Sequence, residues 1–159
     1  MTKLLGLILV AASGLVWGMG KGRQLRSRVS LLGELRRLIQ RLHTEIGSTA
    51  RPLGELLAGN SCRLCQEARR QRDFAQNPCR ALGQAGEALF GDGEDGALCR
   101  GLAQGLGTSG VQGQLEHLEL YGGLVEARLR QAEEECRQKS RLYLALGALG
   151  GLAVCILAA

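Results

Sequence analysis

The apolar residues of this chain recur at steps of three and four over two long segments. The first segment, 25–46, forms one stripe of an amphipathic helix. In the second, 111–136, steps of four and three make a heptad seam of about three and a half repeats. No proline follows it, so we expect one long helix continuing towards the C-terminus, packed antiparallel to the first and buried within the same chain. The seam residues are Val111, Leu115, Leu118, Gly122, Val125, Leu129, Ala132 and Cys136.

Four shorter helices are predicted between the two long ones. Asn60 and Ser61 are candidate caps for the second of them, and Asn77 precedes a proline as an N-cap does. Ser109 and Gln112 have the spacing of a capping box at the start of the last helix. An acidic, glycine-rich loop is expected at 91–96. The predicted short helices are 52–57, 62–74, 78–90 and 96–104.

Two uncharged stretches, 4–20 and 142–159, lie at the ends of the chain. A membrane-crossing helix needs about 20 apolar residues, with a range of roughly 17 to 25, so each stretch can just span. Basic residues beside a span stay on the cytoplasmic side. We therefore expect a two-span cell-membrane protein whose central domain, 21–141, faces the cytoplasm. The basic residues expected at the membrane surface, against lipid headgroups, are Lys21, Arg23, Arg26, Arg28, Arg137, Lys139 and Arg141.

The first stretch could instead be a signal peptide, which would make a secreted disulfide protein. A signal peptide carries its positive charge before the apolar run and ends in a small-residue cleavage site. Here only Lys3 precedes the run, basic residues follow it, and no clear cleavage site closes it. A retained anchor is the favoured interpretation.

Composition and charge agree with a helical membrane protein. Aromatic residues are 3% of the chain and β-branched residues are scarce. The composition therefore favours helices over strands. The net charge is +5, and residues 21–41 carry seven basic residues and one acid. This basic segment adjoins a predicted span and lacks the aromatic interleaving that stacks bases. We expect lipid headgroups as its partner, and no nucleic acid.

Cysteines offer the main alternative chemistry. Cys62 and Cys65 form a C-x-x-C, and Cys79 and Cys99 follow. Four thiolates could hold zinc, but the second close pair of a structural zinc site is missing. A thioredoxin-like motif would need a βαβ context, and a cytoplasmic location keeps thiols reduced. Small hydrophobic side chains are the favoured interpretation, and a membrane-anchored metal- or thiol-binding protein using these four cysteines is the alternative.

Catalytic chemistry has little support in the sequence. The histidines, His43 and His117, each lie near a glutamate in a predicted helix and are expected to be solvated or at an interface. No nucleophile–base pair can be placed. We expect a protein that is not an enzyme, with no cofactor and no metal.

Three blocks of sequence carry a family resemblance. They are 34–46 with Thr49 and 52–53, then 106–109 with 114–118, and finally Lys139 and Tyr143 leading into Gly147. In order and spacing these blocks resemble those of the stage III sporulation protein AB family, and the resemblance covers the chain end to end. The cysteines between Cys62 and Cys99 are not part of that signature.

The resemblance implies an all-α fold, an antiparallel helical bundle of about six helices between N- and C-terminal transmembrane helices. The family belongs to an eight-member sporulation set that builds a secretion-like channel between mother cell and forespore. Its cytosolic domain resembles those of the inner-membrane platform protein of type II secretion. The implied partners are the AA ATPase and the polytopic membrane members of the set. The candidate partner-binding residues are Glu45, Thr49, Ser109, Gln114, Glu116, His117 and Glu119.

Overall fold

The part of the chain that the structure describes is helical throughout, apart from short connections. A computed structural model describes the backbone of residues 2–48 and 51–158 and the side chains of 23–48, 51–139 and 142. These residues form six helices and no strand, which confirms the all-α class and the number of helices. The helices are α1 (Thr2–Ser48), α2 (Leu53–Ala58), α3 (Arg63–Arg70), α4 (Pro78–Phe90), α5 (Glu94–Gly105) and α6 (Val111–Ala158).

Helices α1 and α6 are much longer than the other four, at 47 and 48 residues. The unbroken course of α6 from Val111 confirms the prediction of one long final helix. Within the described side chains, no helix contains a stretch that is both long and apolar enough to cross a membrane. The predicted spans, 4–20 and 142–159, lie outside the described side chains except for Leu142, which is exposed.

Two compact units divide the chain. One consists of Ser30–Arg130, and the other of Met1–Val29 with Gln131–Ala159. The large hydrophobic core cluster lies in Ser30–Arg130, which we call the core unit. Every helix contributes to that cluster, so the four short helices are held by apolar burial and not by local propensity alone.

Within the core unit, α1 and α6 run antiparallel. Arg36 of α1 forms an ion pair with Glu126 of α6 at 3.3 Å. Further along α1, a Cβ at Gly47 would lie 4.0 Å from Leu115 Cδ2. Higher residue numbers on α1 therefore lie beside lower residue numbers on α6, which confirms the predicted antiparallel pairing.

The buried face of α1 is wider than the predicted stripe. Leu32, Leu35 and Leu42 of the stripe are at most 2% exposed, but Leu31 and Leu38, which lie beside it, are also buried. Two elements cover this helix, since Glu34 contacts α3 while Arg36 contacts α6. A helix covered on two sides buries more than the single stripe that periodicity detects.

Three of the eight seam residues of α6 are buried and four are half-buried. Leu118, Val125 and Ala132 are at most 1% exposed, so the seam lies inside its own chain as expected. Val111 is the exception, at 57% exposed, and its assignment to the seam was wrong. Gly47, near the end of α1, faces Leu115, so Val111 lies one turn beyond the point where α6 meets the end of α1.

Helix caps differ from prediction at α3 and α6. Cys62, not Ser61, is the N-cap of α3, and Asn60 instead accepts a hydrogen bond from the Cys62 N–H at 3.2 Å. The capping box does not form, because α6 begins two residues after Ser109, and Gln112 donates to Glu116 at 3.2 Å. Helix α3 also ends at Arg70, before the predicted 74.

The ends of α4 and α5 follow simple capping chemistry. The Asn77 side chain accepts from the Arg80 N–H at 3.0 Å, which confirms the predicted cap before Pro78. Helix α5 begins at Glu94, two residues before prediction, with Gly93 as its N-cap. Its first turn carries Glu94 and Asp95, whose negative charge favours a helix N-terminus.

Candidate partner-binding surface

Helix α6 presents three faces in the core unit, and each has different surroundings. One face, with Leu118 and Val125, is buried in the core. A second lies against α5 and carries His117 and Tyr121. The third is exposed, and we call it the outer α6 stripe. It consists of Glu116, Glu119, Leu120, Gly123 and Leu124.

The outer α6 stripe combines acidic and apolar side chains in the open. Leu120 is 62% exposed and Leu124 is 46% exposed, one helical turn apart. Glu116 and Glu119 are exposed beside them. A single exposed leucine needs no explanation, but adjacent large apolar side chains on one face are typical of a contact surface. Sequence reasoning missed both leucines, although their positions off the heptad seam were a usable signal.

His117 is engaged within the chain. Its Nε2 lies 2.9 Å from the carbonyl oxygen of Leu102, and its ring centroid lies 4.5 Å from that of Tyr121. Gly105 of α5 makes room for the ring, because a Cβ there would lie 2.6 Å from His117 Nδ1. The structure therefore places this predicted contact residue between α6 and α5, half-buried, and not on the outer stripe.

Ser109 and Gln114 also interact with each other. The Gln114 side chain donates to the Ser109 carbonyl oxygen at 2.9 Å, across the start of α6. Ser109 is exposed, while Gln114 is half-buried. Both residues help define where α6 begins, in addition to any role in binding.

The two family blocks meet at one end of the core unit. Glu45 lies half-buried in the last turns of α1, close in sequence to Gly47, and Gly47 faces Leu115 at the start of α6. Thr49, the remaining predicted residue, lies outside the described residues. The structure thus brings the C-terminus of α1 and the block at 114–118 together, as one continuous surface would require.

The predicted membrane-surface residues belong to the second compact unit. Arg23, Arg26, Arg137 and Lys139 are exposed. Arg28 differs, since its guanidinium pairs with Glu135 of α6 at 3.2 Å and links the two long helices. The side chains of Lys21 and Arg141 lie outside the described residues.

The four central cysteines do not form a metal site. No group of three or more His, Cys, Asp and Glu side chains in the described part of the chain is placed to hold a metal ion. Cys79 faces Gly107, where a Cβ would lie 3.8 Å from its Sγ, and Cys99 is buried against Gly86. Among the described residues, the four thiols of the alternative are therefore not gathered into one group of possible ligands.

Cys62 and Cys65 nevertheless interact closely. The Cys62 Sγ accepts the Cys65 N–H at 3.4 Å, and the two side chains are hydrogen-bonded. That side-chain bond, with help from the backbone N–H groups, lowers the pKa of Cys62 to about 7. The same bond and burial raise the pKa of Cys65, and burial raises that of Cys99 to about 12. The C-x-x-C spacing marked this pair, but the missing βαβ context weighed against a redox interpretation.

An open groove lies between α4 and α5, with a volume of about 620 Å³. Arg100 of α5 and Glu87 of α4 form an ion pair along it, and Arg80 also lines it. No buried side-chain nitrogen or oxygen among the described residues lacks a hydrogen-bond partner. The groove therefore contains no buried polar side-chain atom without a partner among the described residues.

Comparison with known proteins gives one match. No curated protein and no solved structure matches the chain significantly. A family model described as stage III sporulation protein AB matches residues 3–158, nearly the whole chain. The match spans all six helices, including those that carry the three blocks described above. The chain belongs to the stage III sporulation protein AB family and is a sporulation protein.

Proposed function

We propose that this protein is a structural, non-enzymatic component of the secretion-like channel complex between mother cell and forespore. It is anchored in the cell membrane by residues 4–20 and 142–159, and its domain at 21–141 faces the mother-cell cytoplasm. Its work is to act as a helical adaptor for the AA ATPase and the polytopic members of the sporulation set. Family membership and the uncharged, arginine-fenced ends of the chain support this proposal.

The outer α6 stripe is the observation that carries the adaptor role. The other two faces of α6 are occupied by its own chain, through Leu118 in the core and His117 against α5. Leu120 and Leu124 remain exposed beside the family block at 114–118. An apolar stripe flanked by acidic side chains suits a partner helix that carries apolar residues flanked by basic ones.

Charge reversal on the stripe tests the adaptor role. We expect Glu116→Lys/Glu119→Lys, in a tagged copy expressed in an endospore former, to reduce recovery of the sporulation partners at least about tenfold. That loss corresponds to about 1.4 kcal/mol, and like charges brought together across an interface cost this much or more. Both glutamates are exposed, so helix content should not change.

The matched control is Glu133→Lys/Glu134→Lys. These glutamates are also exposed on α6 and undergo the same charge change, but they lie in the second compact unit. We expect them to leave partner recovery unchanged. Full recovery by the Glu116/Glu119 variant would put the partner surface elsewhere, and equal losses in both variants would indicate a general charge effect.

Deletion of the gene tests the sporulation role itself. We expect the deletion strain to arrest around the completion of engulfment and to lose heat-resistant spores. The wild-type copy should restore them, and the Glu116→Lys/Glu119→Lys copy should not. A normal spore yield in the deletion strain would contradict the channel function.

Membrane topology is tested by labelling the chain ends. In a Cys155→Ser background, a membrane-impermeant maleimide added to intact cells should label Thr2→Cys and Ala159→Cys. It should not label Ser61→Cys, an exposed position in the central domain. Labelling of Ser61→Cys, or protection of both ends, would contradict the two-span arrangement.

A further inference from the structure

Two cysteines occupy the first turn of α3, in the core unit. Cys62 is the N-cap and Cys65 lies three residues later, with its side chain fully buried. We propose that Cys62 and Cys65 are a redox-active dithiol, which a low-molecular-weight disulfide oxidises reversibly to an intramolecular disulfide. This site is independent of the outer α6 stripe and of the proposed adaptor role.

The spacing brings the two cysteines within reach of a disulfide. Residues three apart at a helix start have Cα atoms about 5 Å apart, from the rise and radius of the helix. Disulfides join Cα atoms roughly 4.4 to 6.8 Å apart. The Cys62 Sγ already points at residue 65, since it accepts the Cys65 N–H at 3.4 Å. The thiol pair is thus arranged for closure in the reduced protein.

The two thiols differ in exposure and in pKa, as the attacking and resolving thiols of a disulfide exchange do. Cys62 is half-buried, and the hydrogen bond from Cys65 lowers its pKa to about 7, against the opposing effects of burial and of Glu34 on α1. Cys65 is fully buried, and its pKa is raised. The thiolate of Cys62 is the species that attacks a small disulfide near neutral pH. Cys65 is buried, so it reacts only with the mixed disulfide formed at Cys62.

The groups on other helices act on the pair in different directions. Glu34 of α1 raises the pKa of Cys62, but its effect is outweighed. Cys99 of α5 has its pKa raised to about 12 by burial, with further effects from Cys62 and from Glu87 of α4. Cys99 therefore stays a neutral thiol and does not compete as a nucleophile.

The reaction balances as two thiol–disulfide exchanges. The Cys62 thiolate attacks one sulfur of the small disulfide RSSR, which forms a mixed disulfide and releases one thiolate RS⁻. Cys65 then loses its proton to water and attacks the Cys62 sulfur, which closes the intramolecular bond and releases a second RS⁻. The dithiol gives up two electrons and RSSR accepts them. An excess of small thiol reverses both steps.

Glutathione disulfide is the probe for this reaction. The full-length chain in detergent is incubated with it near neutral pH, and the products are mapped by peptide mass. We expect wild type to lose two hydrogen atoms in a peptide that joins Cys62 to Cys65. We expect Cys65→Ser to retain a mixed disulfide at Cys62, and Cys62→Ser to leave Cys65 unmodified. Cys79→Ser, which removes another half-buried cysteine, should behave as wild type.

A second measurement on the wild type does not depend on how the variants fold. Alkylation by iodoacetamide, followed by peptide mapping, should be at least about tenfold faster at Cys62 than at Cys79 near pH 7, because burial raises the pKa of Cys79. Faster reaction at Cys79, or no mixed disulfide at Cys62 in a folded Cys65→Ser variant, would overturn the proposal. A stable mixed disulfide at Cys62 in the wild type would also overturn it, since Cys65 would then not resolve it.

Discussion

Glu34 of α1 accepts two hydrogen bonds from Arg63, one from the backbone N–H and one from Nε, each at 2.9 Å. The carboxylate is only 17% exposed, and Arg63 is the first residue of α3. A negative charge at a helix N-terminus is favourable, and here it also satisfies an N–H that has no partner within the helix. Arg63 further donates to Ser30 at 2.7 Å. This contact fixes the start of α3 against α1.

Removing the carboxylate should therefore destabilise the core unit. We expect Glu34→Ala to lower the free energy of unfolding by about 2 kcal/mol, the range of hydrogen bonds to a charged group that is largely buried. Urea denaturation of the full-length chain in detergent measures it. Glu67→Ala is the control, because Glu67 pairs with an Arg70 that is 76% exposed, and such a pair contributes less than about 1 kcal/mol. Equal losses in the two variants would show that the Glu34 contact is no stronger than a surface pair.

Two glycines of α4 should respond oppositely to alanine. A Cβ at Gly86 would lie 2.6 Å from the Cys99 Cβ, whereas a Cβ at Gly83 would lie 3.4 Å from Ala103, at the edge of ordinary contact. We expect Gly86→Ala to destabilise by about 1–3 kcal/mol, since overpacking pushes α5 away. Gly83→Ala should be neutral or stabilising by up to about 1 kcal/mol, from helix propensity. Thermal unfolding of both variants tests this, and a stable Gly86→Ala would contradict close packing of α4 on α5.

His117 should behave as a structural residue. We expect His117→Phe to lower stability by about 1 kcal/mol, because the ring is retained but the hydrogen bond to the Leu102 carbonyl is lost. Glu116→Gln, next to it on the exposed stripe, should change stability by less than about 0.5 kcal/mol. Urea midpoints of the two variants give the comparison. If His117→Phe is as stable as wild type, the structural role is contradicted and His117 is again a candidate partner-binding residue.

Local patterns predicted most of this fold. The spacing of apolar residues and the positions of the prolines predicted the number of helices. Asn77 before Pro78 predicted the first residue of α4 correctly. The antiparallel pairing of α1 and α6 was also predicted, but the contacts of the short helices were beyond those patterns. Nothing near Cys62 in sequence indicates that Glu34, a residue of α1, would lie against the start of α3 and fix where that helix begins.

The proposed surface shares only Glu116 and Glu119 with the predicted partner-binding residues. The block at 114–118 supplied several of the predicted contact residues on α6. One of them, His117, lies against α5, because Gly105 leaves space for its ring. Which residue faces a glycine cannot be predicted from sequence. Leu120 and Leu124 were not among the predicted contact residues, although both lie off the heptad seam. The structure shows that both are exposed, while α1 lies against another face of α6.

The lowered pKa of Cys62 makes stability depend on pH in a defined direction. The pKa of Cys62 is about 7 in the folded state, below the ordinary value of 9.0. Between these two values the unfolded chain binds a proton that the folded chain does not, so the free energy of unfolding rises with pH there. This contribution is complete above the unfolded pKa and is lost as the pH falls through the folded one. We expect the urea midpoint of wild type to rise relative to that of Cys62→Ser between about pH 7 and 9. Cys79→Ser should show no such rise, because the pKa of Cys79 is raised, so that any effect of this thiol appears only as the pH approaches 9.0. Parallel pH curves for wild type and Cys62→Ser would mean that the thiolate is not favoured by the first turn of α3.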